Sequence, residues 1–200
     1  MAPRDLPPAD FAARSLELKD EPASSVWRRV YDAKYSNLLG FGRSLSRFSD
    51  PTGSRFGLIY LASTAKGAFA EAVLRDRAVG TMQSFLISMA ELESYICADI
   101  EIKEILNLVD LTGDGHIRLR VPTDVTRASD QTLARIWSEA FYDHPDLPDG
   151  VLYSSRLTTE RNIALYDRAI RKLTPKSASK LIERRDELAD IINDFNLAIV

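Results

Sequence analysis

The stretch RFGLIYLASTAKGAFAEAVLRD, residues 55–76, decides the fold class because an apolar run passes directly into a segment of small residues. The run FGLIYLA is typical of a buried strand. Ser63 or Thr64 can cap a following helix, which we expect to continue to about Arg77. One acid, Glu71, stands among glycine, alanine, phenylalanine and valine, although a surface helix normally carries several charges. This stretch predicts a strand that leads into a helix with a single acid among small residues.

The rest of the chain predicts strands and helices without regular alternation. Strand composition occurs at 26–31, 95–102, 105–111, 151–155 and 162–167. Helices are expected within 11–20, at the centre of 82–95, over 130–143 and from Ser177 onward. Between the first two strands, residues 32–55 form a long polar loop, and long loops are often functional.

This order of elements favours an α+β fold over a doubly wound sheet. We expect a tail and short helix over 1–22, a main domain over 23–175 and a C-terminal helical arm over 176–200. The arm can pack on its own domain or on a second subunit, which leaves a homodimer open.

Composition restricts the function classes. The 200 residues are 45% hydrophobic and carry a net charge of −3, which argues against generic nucleic-acid binding. The single cysteine, Cys97, excludes an internal disulfide and suits a buried position in a reducing compartment. No apolar run approaches the ~20 residues of a membrane span, and the first ten residues lack a signal-peptide core. We therefore expect a cytoplasmic protein.

Several motifs partly match known functional sites but lack a feature that the site requires. The segment 110–121 places Asp110, Thr112 and Asp114 like calcium ligands, but Val121 stands where a bidentate glutamate is needed. We expect a turn between strands there. The two histidines, His116 and His144, lack metal-ligand spacing, so no metal is predicted. A hydrolase triad of Ser154, His144 and Asp110 lacks the nucleophile elbow that would support it.

Five pieces of the sequence, taken in order, resemble the RES-domain family, which is named for Arg, Glu and Ser. They are WRRVY, FGRSLSRFSD, FGLIYLASTAKGAFAEAV, ILNLVDLTG and DGVLYSSRLTTERNIALYD. The pieces span about residues 26–168, and the third is the most specific. Phe48 replaces a tryptophan that many relatives have, which is a mild departure.

The resemblance implies roles for individual residues. The family's catalytic positions fall on Glu71, Arg29 and Tyr60. Its NAD-binding positions fall on the following residues, with Arg28 an alternative to Arg29 and Ser154 an alternative to Ser155: Arg28, Arg47, Ser154, Ser155 and Arg156.

The resemblance also implies an ADP-ribosyltransferase-like core of small β-sheets with flanking helices, and an enzyme that consumes NAD+. We favour a toxin that cleaves the nicotinamide–ribose bond and depletes NAD+, as a glycohydrolase or phosphorylase. An ADP-ribosyltransferase that modifies a protein, and a non-catalytic binding module, are the alternatives. The expected partner is a cognate Xre-like antitoxin, which would make any DNA contact itself.

The chemistry assigned by resemblance suits these residue types. Bond cleavage creates positive charge on the ribose, which the carboxylate of Glu71 would stabilise. Arginine forks match a pyrophosphate, and an aromatic ring can hold nicotinamide. Gly67, which costs up to ~1 kcal/mol in a helix, is expected to let NAD+ approach closely.

Overall fold

The computed structural model describes residues 5–75, 77 and 85–200. The strands are β1 (Leu18–Glu21), β2 (Val26–Asp32), β3 (Leu58–Ala62), β4 (Phe85–Ile87), β5 (Tyr95–Ile102), β6 (Leu106–Leu111), β7 (Gly150–Ser154), β8 (Arg161–Tyr166), β9 (Leu173–Lys180) and β10 (Leu197–Ile199). The helices are α1 (Ala65–Phe69), α2 (Met89–Glu93), α3 (Gly115–Leu119), α4 (Asp124–Arg127), α5 (Thr132–Tyr142) and α6 (Arg185–Asp194). Short 3₁₀ turns occur at Phe11–Ala13, Asp167–Lys172 and Leu181–Glu183.

Eight strands form one sheet in the order β1-β6-β7-β8-β3-β2-β5-β9. All neighbours are antiparallel except β6 and β7, which are parallel. β2 and β3 share only one registered pair, Arg28 with Ala62, whereas β2 and β5 pair along the whole length of β2. The sheet is therefore weakly joined at its middle, between β3 and β2.

The sheet curls so that its two ends share a core. One buried cluster contains Trp27, Ile100 and Leu173 from one half, together with Leu108 and Leu165 from the other. A second cluster packs α5 and Phe48 on the outer face of β6, β7 and β8. A third packs α1, α6 and Leu181 on the outer face of β2 and β5. The two outer clusters meet at β3, where the candidate site lies.

The α+β class with flanking helices is confirmed, although the strands join in one curled sheet plus the parallel pair β4–β10 instead of several small sheets. The helix expected after β3 forms. Thr64 caps it by accepting a hydrogen bond from the Gly67 amide at 3.0 Å, and after Phe69 it widens into a π-helical turn, Ala70–Leu74, which we call the π-turn. Parts of the predicted tail and helices, at 1–4, 76 and 78–84, lie outside the described residues.

Four local expectations need correction. The predicted helix within 11–20 is one 3₁₀ turn, and the charged segment LKDE is strand β1, because β6 supplies its backbone partners. The described part of 82–95 begins with β4, and α2 follows it. The segment after β6 leads into α3 and not directly into another strand. The helix expected from Ser177 begins at Arg185, because residues up to 180 extend the sheet beyond β5 as β9.

No helix within the described ranges combines the length and apolar content that a membrane span requires.

Candidate active site

A cleft of about 300 Å³ opens over the junction of β2 and β3. This is at the lower end of the range for clefts that bind small molecules. The walls come from β2, the loop 42–47, β3, the helix that carries Glu71, and the ends of β7 and β8. The long loop predicted at 32–55 therefore contributes directly to the site.

Glu71 lies on the π-turn with its carboxylate on the cleft wall. Two side chains, one from β8 and one from the loop after β7, hold it. Ser155 Oγ donates to Glu71 Oε1 at 2.7 Å, and Asn162 Nδ2 donates to the same oxygen at 2.9 Å. A carboxylate held by two donors is preorganised before any ligand arrives.

Ser155 is itself fixed by its own loop. Its hydroxyl oxygen accepts hydrogen bonds from the amides of Leu157 at 3.1 Å and Thr158 at 3.2 Å, so its proton is left for Glu71. Ser154 has a different environment. Leu152 and Tyr153 pack in different clusters on opposite faces, and alternation along β7 puts Ser154 on the side of Leu152. The structure thus brings Ser155, and not Ser154, to Glu71.

Tyr60 lies on β3 in the cleft wall, half-buried. Its hydroxyl is 2.8 Å from Ser46 Oγ and accepts a hydrogen bond from the Phe48 amide at 3.1 Å. Burial raises the pKa of Tyr60, so the phenol is neutral near pH 7. The hydroxyl ties the loop to the sheet and fixes the ring at the cleft wall.

Arg47 enters the cleft from the long loop and is 8% exposed. Its guanidinium donates to the backbone oxygens of Val125 at 3.3 Å and Ala128 at 2.9 Å. Burial, followed by the nearby charge of Arg156, lowers the pKa of Arg47. Both hydrogen-bond acceptors are neutral, so this buried cation suits an anionic ligand.

Arg29 and Arg28 are neighbours on β2 with different partners. Arg29 Nη1 donates to the Leu38 carbonyl at 2.6 Å, its guanidinium lies 5.1 Å from the Tyr31 ring centre, and burial lowers its pKa. Arg28 also borders the cleft, but its Nε is 2.9 Å from Asp99 Oδ1. Because Arg28 is already neutralised by a carboxylate, Arg29 is the better placed of the two for an anionic ligand.

Arg156 and Arg75 add guanidinium groups to the same walls, and Arg156 is exposed there. Among the described residues, the cleft therefore combines one carboxylate with a set of basic side chains, although the whole chain is acidic. Of the predicted site residues, the structure brings together the following at the cleft: Glu71, Arg28, Arg29, Tyr60, Arg47, Ser155 and Arg156.

The expectation for Gly67 is wrong. A Cβ added there would lie 3.0 Å from Glu160 Cβ and 3.3 Å from Ala62 Cβ. The glycine allows the loop after β7 to pack closely against the helix, and it is not among the residues that line the cleft. That loop is in turn tied to β3, since Ser63 Oγ donates to Glu160 Oε2 at 2.9 Å.

The described ranges contain no cluster of side chains that could hold a metal ion. Asp110, His116 and His144 each have structural partners instead. Asp110 accepts hydrogen bonds from a threonine and a lysine, His116 contacts a backbone carbonyl and a threonine hydroxyl, and His144 contacts backbone carbonyls. Among the described residues no hydrogen bond joins Ser154, His144 and Asp110, so the hydrolase triad does not form.

Four residues of the site are not predicted from the sequence: Asn162, Tyr153, Ser46 and Arg75. Asn162 lies in the strand NIALYD, where a buried polar residue among apolar ones was the available signal. Tyr153 lines the cleft, and burial together with the charge of Glu71 raises its pKa well above the ordinary value. Ser46 carried no signal beyond its place in the long loop.

Comparisons with known proteins identify the family of the chain and a related fold. A family model described as "RES domain" matches residues 23–184. A protein of Sinorhizobium fredii (strain NBRC 101917 / NGR234) named "Probable toxin y4kH" is 49% identical over 127 residues, which is 64% of this chain and 100% of that protein. A chain in the crystal structure of the M. tuberculosis MbcT-MbcA toxin-antitoxin complex aligns with a TM-score of 0.62 and 20% identity, covering 83% of this chain and 90% of that one. The last likeness concerns the fold.

Proposed function

This chain belongs to the RES domain family, and from that membership we propose that it is a toxin that cleaves the nicotinamide–ribose bond of NAD+. The reaction with water consumes NAD+ and H₂O and yields ADP-ribose, nicotinamide and a proton. With phosphate as acceptor, the product is ADP-ribose 1″-phosphate. Either outcome removes NAD+ from the cell.

One observation carries the proposal: Glu71 is fixed on the wall of a cleft where the other charged side chains, among the residues that the structure describes, are basic. Loss of nicotinamide leaves positive charge on the ribose, and a fixed carboxylate stabilises such charge without reorganising. In this scheme Glu71 faces the ribose and binds one of its hydroxyls.

The guanidinium groups of the cleft supply positive charge, opposite in sign to the carboxylate of Glu71. Within the described part of the chain, Arg47 and Arg29 donate hydrogen bonds only to neutral carbonyl oxygens, so a pyrophosphate would give them an anionic partner. Tyr60 is neutral, and its hydroxyl is held by Ser46 and Phe48. Its ring would position the nicotinamide as a leaving group.

The experiment incubates the purified protein with NAD+ and measures free nicotinamide by chromatography. Three arms contain buffer alone, inorganic phosphate, or a cell extract with labelled NAD+. Free ADP-ribose identifies a glycohydrolase, phosphate-dependent release a phosphorylase, and label on a protein band an ADP-ribosyltransferase. Absence of nicotinamide release in all three arms would contradict the proposal and favour a binding module.

We also propose that a cognate antitoxin neutralises this chain. The Sinorhizobium relative is named a probable toxin, and the matched crystal structure is that of a toxin-antitoxin complex, so both relatives support this proposal. An Xre-like antitoxin would carry the DNA-binding surface. Co-expression with the adjacent gene product should restore growth of cells that express the chain, and duplex DNA should bind only to the complex.

A further inference from the structure

Asn162 occupies an unusual place for an amide side chain. It lies on β8, between Ala62 of β3 and Tyr153 of β7, and is 1% exposed. Its carbonyl oxygen Oδ1 is buried without a hydrogen-bond partner within the described ranges. An unpaired buried acceptor is unfavourable, so an apolar residue would suit this position better if packing were its only role.

The amide nitrogen of Asn162 makes a contact that offsets the unfavourable burial of Oδ1. Nδ2 donates to Glu71 Oε1 at 2.9 Å, across 91 residues of sequence. The reverse orientation of the amide would place Oδ1 against the carboxylate, where two acceptors repel. The carboxylate therefore fixes the amide orientation, and the orphaned Oδ1 is the cost of directing Nδ2 at Glu71.

Both donors of the site converge on one carboxylate oxygen. Ser155 Oγ, at 2.7 Å, and Asn162 Nδ2 bind Oε1. Within the described part of the chain, no hydrogen bond ends on Oε2. The two donors lie on different elements, the loop after β7 and strand β8, so together they fix the plane of the carboxylate as well as its position.

We propose that Asn162 is a positioning residue that locks Oε1 of Glu71 and thereby leaves Oε2 as the oxygen directed at the ligand. The assignment rests on the proposed function. Asn162 does not touch the reacting atoms. It acts through Glu71, and its effect appears in the rate of the chemical step more than in the binding of NAD+.

The test is a double-mutant cycle that combines Asn162→Leu with Glu71→Gln. Leucine keeps the branching and the number of side-chain heavy atoms of asparagine and removes the donor, but it is bulkier. Asn162→Ala therefore repeats the test without the risk of overpacking. We expect kcat for nicotinamide release to fall about tenfold or more in Asn162→Leu, with KM changed less than about twofold. In the Glu71→Gln background the same substitution should change kcat by less than about twofold, because coupled residues are non-additive. Independent, multiplicative losses, or an unchanged kcat in Asn162→Leu, would overturn the assignment.

Asp149→Asn serves as the matched control, because Asp149 is also a buried polar residue, 7% exposed, and lies outside the cleft. It should lower stability and leave kcat unchanged. A second cycle, which combines Asn162→Leu with Glu71→Ala, is measured on the unfolding equilibrium in urea and requires no activity. Alanine is used because glutamine would keep an oxygen that accepts the hydrogen bond from Asn162 Nδ2. If the wild type releases no nicotinamide, the proposed function fails, but a coupling of about tenfold between the two residues still supports the positioning contact. Additive unfolding effects would overturn it.

Discussion

The hydroxyl of Ser155 lies 2.7 Å from Oε1 of Glu71, although 84 residues separate the two in the chain. The contact joins the loop after β7 to the π-turn. It connects two of the five sequence pieces that resemble the RES family, the piece that contains Glu71 and the piece that contains Ser155.

Ser155→Ala should therefore reduce activity by removing one donor from Glu71. We expect kcat for nicotinamide release to fall about tenfold, because a hydrogen bond to a charged group is worth about 1.5–3 kcal/mol. The free energy of unfolding should also fall by about 1 kcal/mol, since the amides of Leu157 and Thr158 lose their acceptor. Ser154→Ala, one residue away, is the matched control and should change neither kcat nor NAD+ affinity.

Glu71→Gln should lower kcat about 10²–10³-fold, the usual loss when a preorganised electrostatic group is removed. The fold should persist because glutamine has the same shape and keeps an oxygen for Ser155. Glu93→Gln, an exposed glutamate on α2, is the control for the charge change. A Glu71→Gln variant with full turnover would remove the assignment of Glu71 and leave the family membership standing.

Arg47→Lys should weaken the binding of ADP-ribose, measured by calorimetry, about tenfold or more, because a lysine lacks the bidentate fork. The variant also gives up one of the contacts with Val125 and Ala128, so its melting temperature should fall. Arg28→Lys is the matched comparison at another wall of the cleft, where an ion pair with Asp99 already neutralises the charge. Equal losses in both variants would show that the two arginines are equivalent.

Gly67→Ala should destabilise the protein despite the higher helix propensity of alanine. The new Cβ would lie 3.0 Å from Glu160 Cβ and 3.3 Å from Ala62 Cβ. Overpacking of this kind costs about 1–3 kcal/mol, which exceeds the gain in propensity of up to ~1 kcal/mol. Urea unfolding measures the difference. Gly42→Ala is the control, because its Cβ would meet nothing closer than Ser44 Oγ at 3.9 Å.

Cys97 should be unreactive in the folded protein and should make stability depend on pH. Burial raises the pKa of its thiol from 9.0 to about 11. A raised pKa in the folded state means that the neutral thiol contributes stability below pH 9, which is lost as pH rises toward 11. Urea unfolding should show a loss of about 2 kcal/mol over that window, with a smaller loss in Cys97→Ala. A thiol reagent at about pH 8, below both pKa values, should label Cys97 only after unfolding; rapid labelling of the folded protein would contradict this.

The central part of the fold follows from hydrophobic patterning. Four predicted elements form as expected: the strand before Glu71, the strands around Cys97 and Val109, and the amphipathic helix at Trp137. Burial on one or both faces gives each of them a clear pattern of hydrophobic residues. Strand β1 was missed because LKDE has no such pattern. It is a strand only because β6 offers backbone partners.

The candidate site likewise contains some residues that the sequence predicts and others that it does not. Glu71, Tyr60 and Arg47 stand in short motifs whose order resembles the RES family, and that resemblance implies one cleft. The choice between Arg28 and Arg29 depends on Asp99, which lies directly opposite Arg28 on β5 and pairs with it. Because Asp99 is far from Arg28 in sequence, no local sequence pattern can distinguish the two arginines. The sequence does not predict the roles of Gly67 and Asn162 for a related reason, since their partners lie on distant segments.

The π-turn at Ala70–Leu74 has a consequence for how this protein can tolerate insertions and deletions. A π-helical turn closes its hydrogen bonds over five residues, one more than the α-helical turn that it replaces. Deleting a single residue upstream of Glu71 within that turn would restore ordinary winding and rotate its side chain by about 100° around the axis. The direction of the carboxylate is thus encoded in the number of residues in one turn, so that a shortened turn would aim it away from the cleft even with every other side chain retained.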